Sequence, residues 1–293
     1  PMSCRRQRQM CIRDRDRTLI PNGAQPESSG VRMALEQLRA RPPLRPAYVS
    51  GRDKKLVKEA IGEYALPLPN FVIGDVGTTL YRIETGRWQL DDTWQQIIGQ
   101  DWGDHKHDDI TAWLADIDAA GFRPQPPEKQ NRYKVSYYTE TRIDTQALKK
   151  RILTRLEEQG VASHIIWSRD EAAQRGLLDI LPRRANKLRA IRYLMDQEAT
   201  GEAHTVFAGD SGNDLDALTS GLQAILVANA AEDVRQTAWE HLARQGLEGQ
   251  LYMAKGGFMG LNGNYTAGVL EGLAHFFPET ADWIAAALGA ARQ

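Results

Sequence analysis

Thr205-Val206-Phe207-Ala208-Gly209-Asp210-Ser211-Gly212-Asn213-Asp214 joins an uncharged run to a turn rich in carboxylates. The run 205–208 reads as a short buried strand, and the turn formers Gly212 and Asn213 mark its end. Three other stretches have the same form: Ala47-Tyr48-Val49-Ser50, Phe71-Val72-Ile73-Gly74 and Ala224-Ile225-Leu226-Val227. Amphipathic helical patterns lie between them, with Val31, Leu35 and Leu38 in one and Leu56, Val57, Ala60 and Ile61 in another. Strands alternating with helices predict an α/β fold whose parallel sheet is covered on both faces. Ligands of such sheets sit beyond the carboxyl ends of the strands, so the residues that follow each strand are the ones to examine for chemistry.

Residues 86–181 have another character. They are rich in Trp, Asp and His and contain the turn Arg123-Pro124-Gln125-Pro126-Pro127. Strands are expected over 133–139 and 164–168. A helix is expected over 145–159, with Leu148, Ile152, Leu153 and Leu156 on one face. This stretch reads as a smaller domain inserted into a core made of 1–85 and 182–293. The whole chain of 293 residues is 42% hydrophobic and 26% charged, ordinary globular values that exclude disordered and fibrous classes. Lys plus Arg number 37 and Asp plus Glu 38, so no charge footprint points to nucleic acid or an anionic membrane. No apolar run approaches the ~20 residues of a membrane span. The two cysteines, Cys4 and Cys11, make no disulfide framework, and a cytoplasmic setting is expected.

Four segments carry residue types that phosphoryl transfer needs. In Asp14-Arg15-Asp16-Arg17-Thr18 two carboxylates two apart at a strand end face the same side. One can attack phosphorus; the other can protonate a leaving oxygen and then activate water. The same pattern read alone is a polar turn before a helix. In Ser50-Gly51-Arg52-Asp53 a hydroxyl and a backbone N–H suit a phosphate oxygen, while Ser50 also fits as a helix N-cap. Lys187 opens a helix, where it either neutralises phosphoryl charge or is simply solvated. Asp210 and Asp214 offer hard oxygen ligands of the kind Mg²⁺ takes, or else form an Asx-rich turn. The segment lacks the twelfth-position Glu of an EF-hand calcium loop.

Together the four resemble the haloacid dehalogenase superfamily of aspartate-nucleophile phosphatases, in the order D-x-D-x-T, Ser/Thr, Lys, G-D-x-x-N-D. The insert between Ser50 and Lys187 resembles the superfamily's αβ cap of the C2B type, set into a Rossmann-like core. Closer matches are to its sucrose-phosphatase branch: Gly74-Asp75-Val76-Gly77-Thr78, Lys134-Val135-Ser136-Tyr137, Leu181-Pro182-Arg183-Arg184-Ala185-Asn186-Lys187 and Ala267-Gly268-Val269-Leu270-Glu271-Gly272-Leu273-Ala274-His275-Phe276. The likeness runs from about Asp16 to Phe277. It implies a two-step hydrolysis of a sugar phosphate, sucrose 6-phosphate above all, with Asp14 as nucleophile and Asp16 as acid and base. Mg²⁺ would be held by Asp14, Asp16, Asp210 and Asp214. Ser50, Gly51, Arg52, Lys187 and Asn213 would serve the phosphoryl group, and Lys134 and Ser136 the sugar, under a closing cap. Mannosylfructose-phosphate, mannosyl-3-phosphoglycerate and trehalose 6-phosphate are alternative substrates, a non-catalytic sugar-phosphate-binding module an alternative role, and a sugar-phosphate synthase an expected partner. Trp88, Trp94, Trp102 and Trp113 offer sugar platforms or core packing, with packing the expected role. His105 and His107 with Asp104, Asp108 and Asp109 read as a charged helix start rather than a second metal site.

One departure stands out. The superfamily has an apolar strand before its first aspartate, whereas this chain has Arg8-Gln9-Met10-Cys11-Ile12-Arg13. A central parallel strand is a near-continuous apolar run, so this one is expected to bury two arginines or leave the sheet. Residues 1–15 contain no secretory apolar stretch, and their Arg content leaves a transit-peptide reading open. Met10–Arg15 resembles the translation of a transposon-type sequencing adaptor, so residues 1–15 are expected to be non-native. A variant in which an apolar strand and Asp-Leu precede Asp16 is therefore predicted to melt higher and turn over faster than the chain as it stands. Equal melting temperature and equal kcat in both would contradict this.

Overall fold

The computed structural model describes residues 9–14, 17–41, 44–170 and 173–291 of the chain; the side chains of residues 13, 14 and 291 lie outside the described set. Strands β1 (Gln9–Asp14), β2 (Leu44–Val49), β3 (Phe71–Gly74), β4 (Thr79–Glu84) and β5 (Arg87–Leu90) come first. They are followed by β6 (Arg123–Pro124), β7 (Val135–Thr139), β8 (Ser163–Asp170) and β9 (Arg175–Pro182), then β10 (Thr205–Gly209), β11 (Gln223–Leu226) and β12 (Leu251–Met253). The principal helices are α1 (Val31–Arg39), α2 (Lys54–Glu63), α3 (Asp92–Gly99), α4 (His107–Trp113), α5 (Thr145–Glu158) and α6 (Lys187–Gln197). After them come α7 (Leu215–Leu218), α8 (Glu232–Ala243), α9 (Tyr265–Phe276) and α10 (Thr280–Ala291).

Internal contacts divide the chain into two units. One runs to Leu90 and resumes at Ala190; the other is Asp91–Arg189. The expected boundaries fell at 85/86 and 181/182. The first division lies later because β5 pairs antiparallel with β4, which carries Trp88 into the first unit's sheet.

The first unit holds an eight-stranded sheet in the order β12-β11-β10-β1-β2-β3-β4-β5. Every pairing from β12 to β3 is parallel, and the β4–β5 hairpin closes one edge in antiparallel sense. The chain therefore starts in the middle at β1, builds outward through β2 and β3, and later builds the other way through β10, β11 and β12. The reversal falls between β1 and β10, a topological switch point where the adjoining connections diverge and leave a crevice at the strand ends.

β1 does not leave the sheet. It lies between β2 and β10, and its Gln9, Met10, Cys11 and Ile12 are buried. The apolar centre Met10-Cys11-Ile12 is enough to hold the strand inside, and the Gln9 amide is paired with the Glu279 carboxylate. The Arg8 and Arg13 side chains lie outside the described residues. Around β1, one apolar cluster joins Cys11, Tyr48, Val72, Val206 and Ile225 to Leu35, Val57 and Leu273. A second joins Val31, Ala34 and Leu38 of α1 to Leu270 of α9 and Ile284 and Ala287 of α10. α9 approaches β11 so closely that a Cβ on Gly272 would run into the Ile225 side chain.

The second unit has a four-stranded antiparallel sheet, β6-β7-β9-β8. Of the α5 face predicted from spacing, Leu148, Ile152 and Leu156 are buried and Leu153 is half-buried. Trp94 and Trp102 are buried, and the Trp102 indole donates to Ser163 Oγ at 2.9 Å. These two tryptophans are packing residues. Trp113 meets the His105 ring edge-on at 4.9 Å, and in the first unit Trp88 meets Tyr81 at 5.7 Å. Asp108 and Asp109 lie in the first turn of α4, where the Asp109 carboxylate accepts the Lys106 N–H at 2.8 Å. That is the charged helix start expected from the sequence.

A buried ion cluster braces the β2–β4 side of the first unit. Glu198 is 5% exposed and accepts Arg82 Nη1 at 2.7 Å, with Arg45 Nη1 at 3.2 Å. Both guanidinium groups also lie over the Phe71 ring, at 5.3 and 4.9 Å from its centre. Removing one partner of a buried pair leaves charge uncompensated, an effect moderated here because both arginines are partly solvated. Glu198→Ala is predicted to lower unfolding free energy by about 2 kcal/mol, measured by chemical denaturation.

Candidate active site

The register sets the first elements of the site. Asp14 ends β1 and pairs with Val49 on β2, and Arg13 pairs with Ala208 on β10. The carboxyl ends of β10, β1 and β2 thus lie side by side, with Asp14 at the end of β1 between Asp210, which follows β10, and Ser50, which follows β2. The Asp14 side chain and the whole of Asp16 and Arg15 lie outside the described residues.

The loop after Asp16 is held at every turn. Arg17 has φ 56°, a left-handed conformation unusual for a residue with a side chain. Its N–H donates to Asn22 Oδ1 at 3.1 Å, and its carbonyl accepts Asn229 Nδ2 at 2.7 Å. The Thr18 hydroxyl donates to Asp210 Oδ1 at 2.8 Å, linking positions 192 residues apart in sequence. The Leu19 carbonyl accepts Arg32 Nη2 at 2.6 Å and the Thr266 hydroxyl at 3.3 Å.

Asp210 and Asp214 are 4% and 0% exposed. Asp214 Oδ2 accepts the Ser211 hydroxyl at 3.0 Å, the Ser211 N–H at 3.3 Å and the Asp210 N–H at 3.4 Å. Gly209 makes this possible: a Cβ there would sit 2.9 Å from Asp214 Cβ. Arg17 Nε stands 3.9 Å from Asp210 Oδ2, with its side chain half exposed. Buried carboxylates need hydrogen bonds, a counter-charge or a metal, and these two receive hydroxyl and amide donors along with one distant, solvated guanidinium. Their hard oxygens suit Mg²⁺ in kind. Among the described residues, no group of three or more His, Cys, Asp or Glu side chains is set to hold a metal. Two of the four expected ligands, Asp14 and Asp16, fall outside that set.

Ser50 is fully buried, and its Oγ accepts the Arg52 N–H at 3.1 Å. It is not the cap of α2. That role belongs to Asp53, whose carboxylate accepts the Leu56 N–H at 2.9 Å, so the N-cap reading of Ser50 is corrected by a shift of three residues. Gly51 is exposed and Arg52 half-buried. The turn is braced from below by the segment after β3, where Asp75 and Val76 have φ 49° and 62°. Asp75 N–H donates to the Arg52 carbonyl at 2.9 Å, and its carboxylate accepts the Thr79 hydroxyl at 3.1 Å. Asn213 is exposed in the 3₁₀ turn Gly212–Asp214.

In the second unit, Lys134 and Ser136 are both buried, Lys134 just before β7 and Ser136 on it. Ser136 Oγ donates to Asp179 Oδ1 at 2.5 Å, directly across the pairing of β7 with β9. Lys187 is the first residue of α6 and is half-buried. Three residues beside these candidates were not named as site residues from sequence: Asn229, Asp179, and Asp75, which stood only within the quoted segment 74–78. Each carried a signal. Asn229 and Asp75 follow predicted strands, and Asp179 is a lone carboxylate in the apolar run Leu177-Leu178-Asp179-Ile180-Leu181.

Residues 7–277 match the family model of sucrose-6F-phosphate phosphohydrolase. A protein of Nitrosococcus oceani described as a HAD-like hydrolase is 54% identical over 279 residues, covering 95% of this chain and 74% of that protein. Sucrose-phosphatase 1 of Nicotiana tabacum is 28% identical over 234 residues, covering 78% of this chain and 52% of the relative. The chain thus spans about half the length of the tobacco sucrose-phosphatases it matches. Among solved structures, the Synechocystis sucrose-phosphatase in complex with sucrose and phosphate superposes with a TM-score of 0.68 at 25% identity, covering 92% of this chain and 98% of that one. The chain belongs to the sucrose-6F-phosphate phosphohydrolase family, a phosphatase family of the haloacid dehalogenase superfamily.

Proposed function

We propose that the chain hydrolyses sucrose 6-phosphate to sucrose and phosphate in a Mg²⁺-dependent reaction. The observation that carries this reading is the meeting of the Asp14 strand end, Ser50, the Thr18–Asp210 hydrogen bond and Asp214 at one edge of the sheet. Asp14 attacks phosphorus in line, and the phosphorus–oxygen bond to the sugar breaks. Asp16 gives its proton to the departing sugar oxygen, then takes one from the water that cleaves the aspartyl-phosphate and returns Asp14. Ser50, the Gly51 N–H, Arg52 and Lys187 receive the phosphoryl oxygens. Lys134 and Ser136 recognise sugar hydroxyls. Asp14, Asp210, Asp214 and the Asp16 carbonyl would hold Mg²⁺, whose charge offsets the repulsion between the carboxylates and the phosphate. Positioning and charge stabilisation then supply most of the rate. Asn229 fixes the loop that carries Asp16 by tying the Arg17 carbonyl to the Tyr265 N–H, at 2.7 Å on each side.

The test is phosphate release from a panel of sucrose 6-phosphate, mannosylfructose-phosphate, mannosyl-3-phosphoglycerate and trehalose 6-phosphate, with Mg²⁺ and with a chelator. The highest kcat/KM is expected for sucrose 6-phosphate, and the chelator is expected to stop turnover. Asp16→Asn is expected to lower kcat by at least about 10²-fold. A different best substrate would move the assignment within the family, and binding of all four without turnover would make the chain a binding module. A second prediction concerns the link between the segments. Thr18→Val leaves a buried carboxylate without its hydroxyl donor and is expected to cost about 2 kcal/mol of stability. The same change is expected to weaken Mg²⁺ activation, read as a higher Mg²⁺ concentration at half-maximal rate.

A further inference from the structure

Arg17 is a bulky cation on a backbone that favours glycine. Its φ of 56° lies in the left-handed region, which residues with side chains rarely adopt and which persists only where neighbours hold it. Two amide side chains do so: the Arg17 N–H donates to Asn22 Oδ1 at 3.1 Å, and the Arg17 carbonyl accepts Asn229 Nδ2 at 2.7 Å. A glycine would adopt this turn without strain. The sequence instead sets a long cation between Asp16, an expected metal ligand, and Thr18, whose hydroxyl donates to Asp210. Strain kept at such a place points to a task for the side chain.

The side chain meets Asp210. Arg17 Nε is 3.9 Å from Asp210 Oδ2, while Asp210 Oδ1 accepts the Thr18 hydroxyl at 2.8 Å. The two oxygens of this buried carboxylate are thus approached by residues 17 and 18 in turn. Gly23 leaves room for the guanidinium, since a Cβ built there would stand 3.5 Å from Arg17 Nε. The contact with Asp210 is electrostatic: 3.9 Å is too long for a hydrogen bond, and the Arg17 side chain is half exposed. Asp210 is almost without solvent contact, and a charge so poorly hydrated is felt more strongly at this distance than it would be in water. The guanidinium therefore offsets part of the carboxylate's charge without being locked to it. It can turn away into solvent, because among the described residues no hydrogen bond of its own has to break.

We propose that Arg17 competes with the divalent cation for Asp210 and so sets the Mg²⁺ concentration at which the site fills. The inference rests on the reading of Asp210 as a Mg²⁺ ligand given above. A dication held by Asp210 meets a like charge at the same carboxylate, so the guanidinium either moves away or repels it. Both routes leave the site with a lower affinity for the cation than its carboxylates alone would give. The Thr18 hydroxyl carries no charge and does not oppose the cation in this way. Asn22 and Asn229 complete the device: by fixing the Arg17 backbone they keep its side chain within reach of Asp210, so the guanidinium returns when the cation leaves. Weaker binding keeps the loading of the site responsive to the free Mg²⁺ concentration.

The test is isothermal calorimetry on the full chain as Mg²⁺ alone is added, with no sugar phosphate, for the wild type, Arg17→Gln and Arg17→Lys. Arg17→Gln is expected to bind Mg²⁺ about fivefold more tightly than the wild type. Arg17→Lys, which keeps the charge, is expected to bind as the wild type does. Added salt is expected to shrink the difference between the wild type and Arg17→Gln, because charge effects of a half-exposed group are screened. Equal or weaker Mg²⁺ binding by Arg17→Gln overturns the inference. So does an Arg17→Lys that binds as tightly as Arg17→Gln, or a difference that salt leaves unchanged. Should Arg17→Gln fail to fold, Arg17→Gly takes its place, since glycine suits the left-handed turn. Absence of Mg²⁺ binding in every chain overturns the inference together with the Mg²⁺ part of the proposed function. Phosphate release is measured separately, so a wild type that binds Mg²⁺ but hydrolyses no sugar phosphate refutes the phosphatase reading and leaves this comparison intact.

Discussion

Two carboxylates with almost no solvent contact, Asp210 and Asp214, set the terms for everything around them. Burying an ionised carboxyl costs several kcal/mol unless donors or cations replace its water. The chain supplies those donors locally through the Ser211 turn and from afar through Thr18. The long-range donor has the larger consequence. It fixes the segment after β1 against the segment after β10, so the two halves of the wound sheet cannot fold with their functional ends out of step. The requirement reaches further, because Asn229 in the turn after β11 and Thr266 on α9 hold the same loop by its Arg17 and Leu19 carbonyls. The site is thus assembled from strand ends that share one edge because of topology, and it is kept in place by side chains that satisfy otherwise unpaired groups.

Much of this was legible in the residues. The strands around Ala47, Phe71, Val206 and Ala224 stood out because parallel strands buried on both faces are uninterrupted apolar runs, and the turns that follow them hold candidate site residues. What escaped reading had definite causes. β1 contains Gln9 and Arg13 and follows Arg8, so composition argued against a central strand; pairing on both sides and four buried residues outweigh that. Ser50 and Asp53 are both good N-cap types, and only the observed bond to the Leu56 N–H separates them. Asp179 is inconspicuous until the β7–β9 register sets it opposite Ser136, because cross-strand partners cannot be found without knowing how the strands pair.

The segment from Gly74 to Thr79 shows how the sheet supports a loop on its neighbour. Asp75 and Val76 both have positive φ, an arrangement that costs energy for residues with side chains and persists only when surroundings over-determine it. Here they do: the Asp75 N–H donates to the Arg52 carbonyl, the Val76 N–H to the Ser50 carbonyl at 3.3 Å, and the Asp75 carboxylate accepts from Thr79. The strain on β3's exit is thereby converted into a fixed position for the turn at Ser50, whose hydroxyl accepts the Arg52 N–H within that turn.

The second unit follows a different logic. Its antiparallel sheet has two faces, and β7 separates them residue by residue: Ser136 meets Asp179 on one side, while Val135 and Tyr137 lie on the other, beside Thr111 and Gln130. Gln130 serves both, since its side chain binds the Ser136 backbone through both carbonyl and N–H while its oxygen faces His107. Three committed hydrogen bonds make that glutamine hard to displace. A shift of the edge near β6 that moved Gln130 would therefore disturb the backbone of Ser136 on the opposite face, and the position of the Ser136 hydroxyl depends on that backbone. The two faces are coupled through one amide side chain, with no need for a larger rearrangement of the sheet.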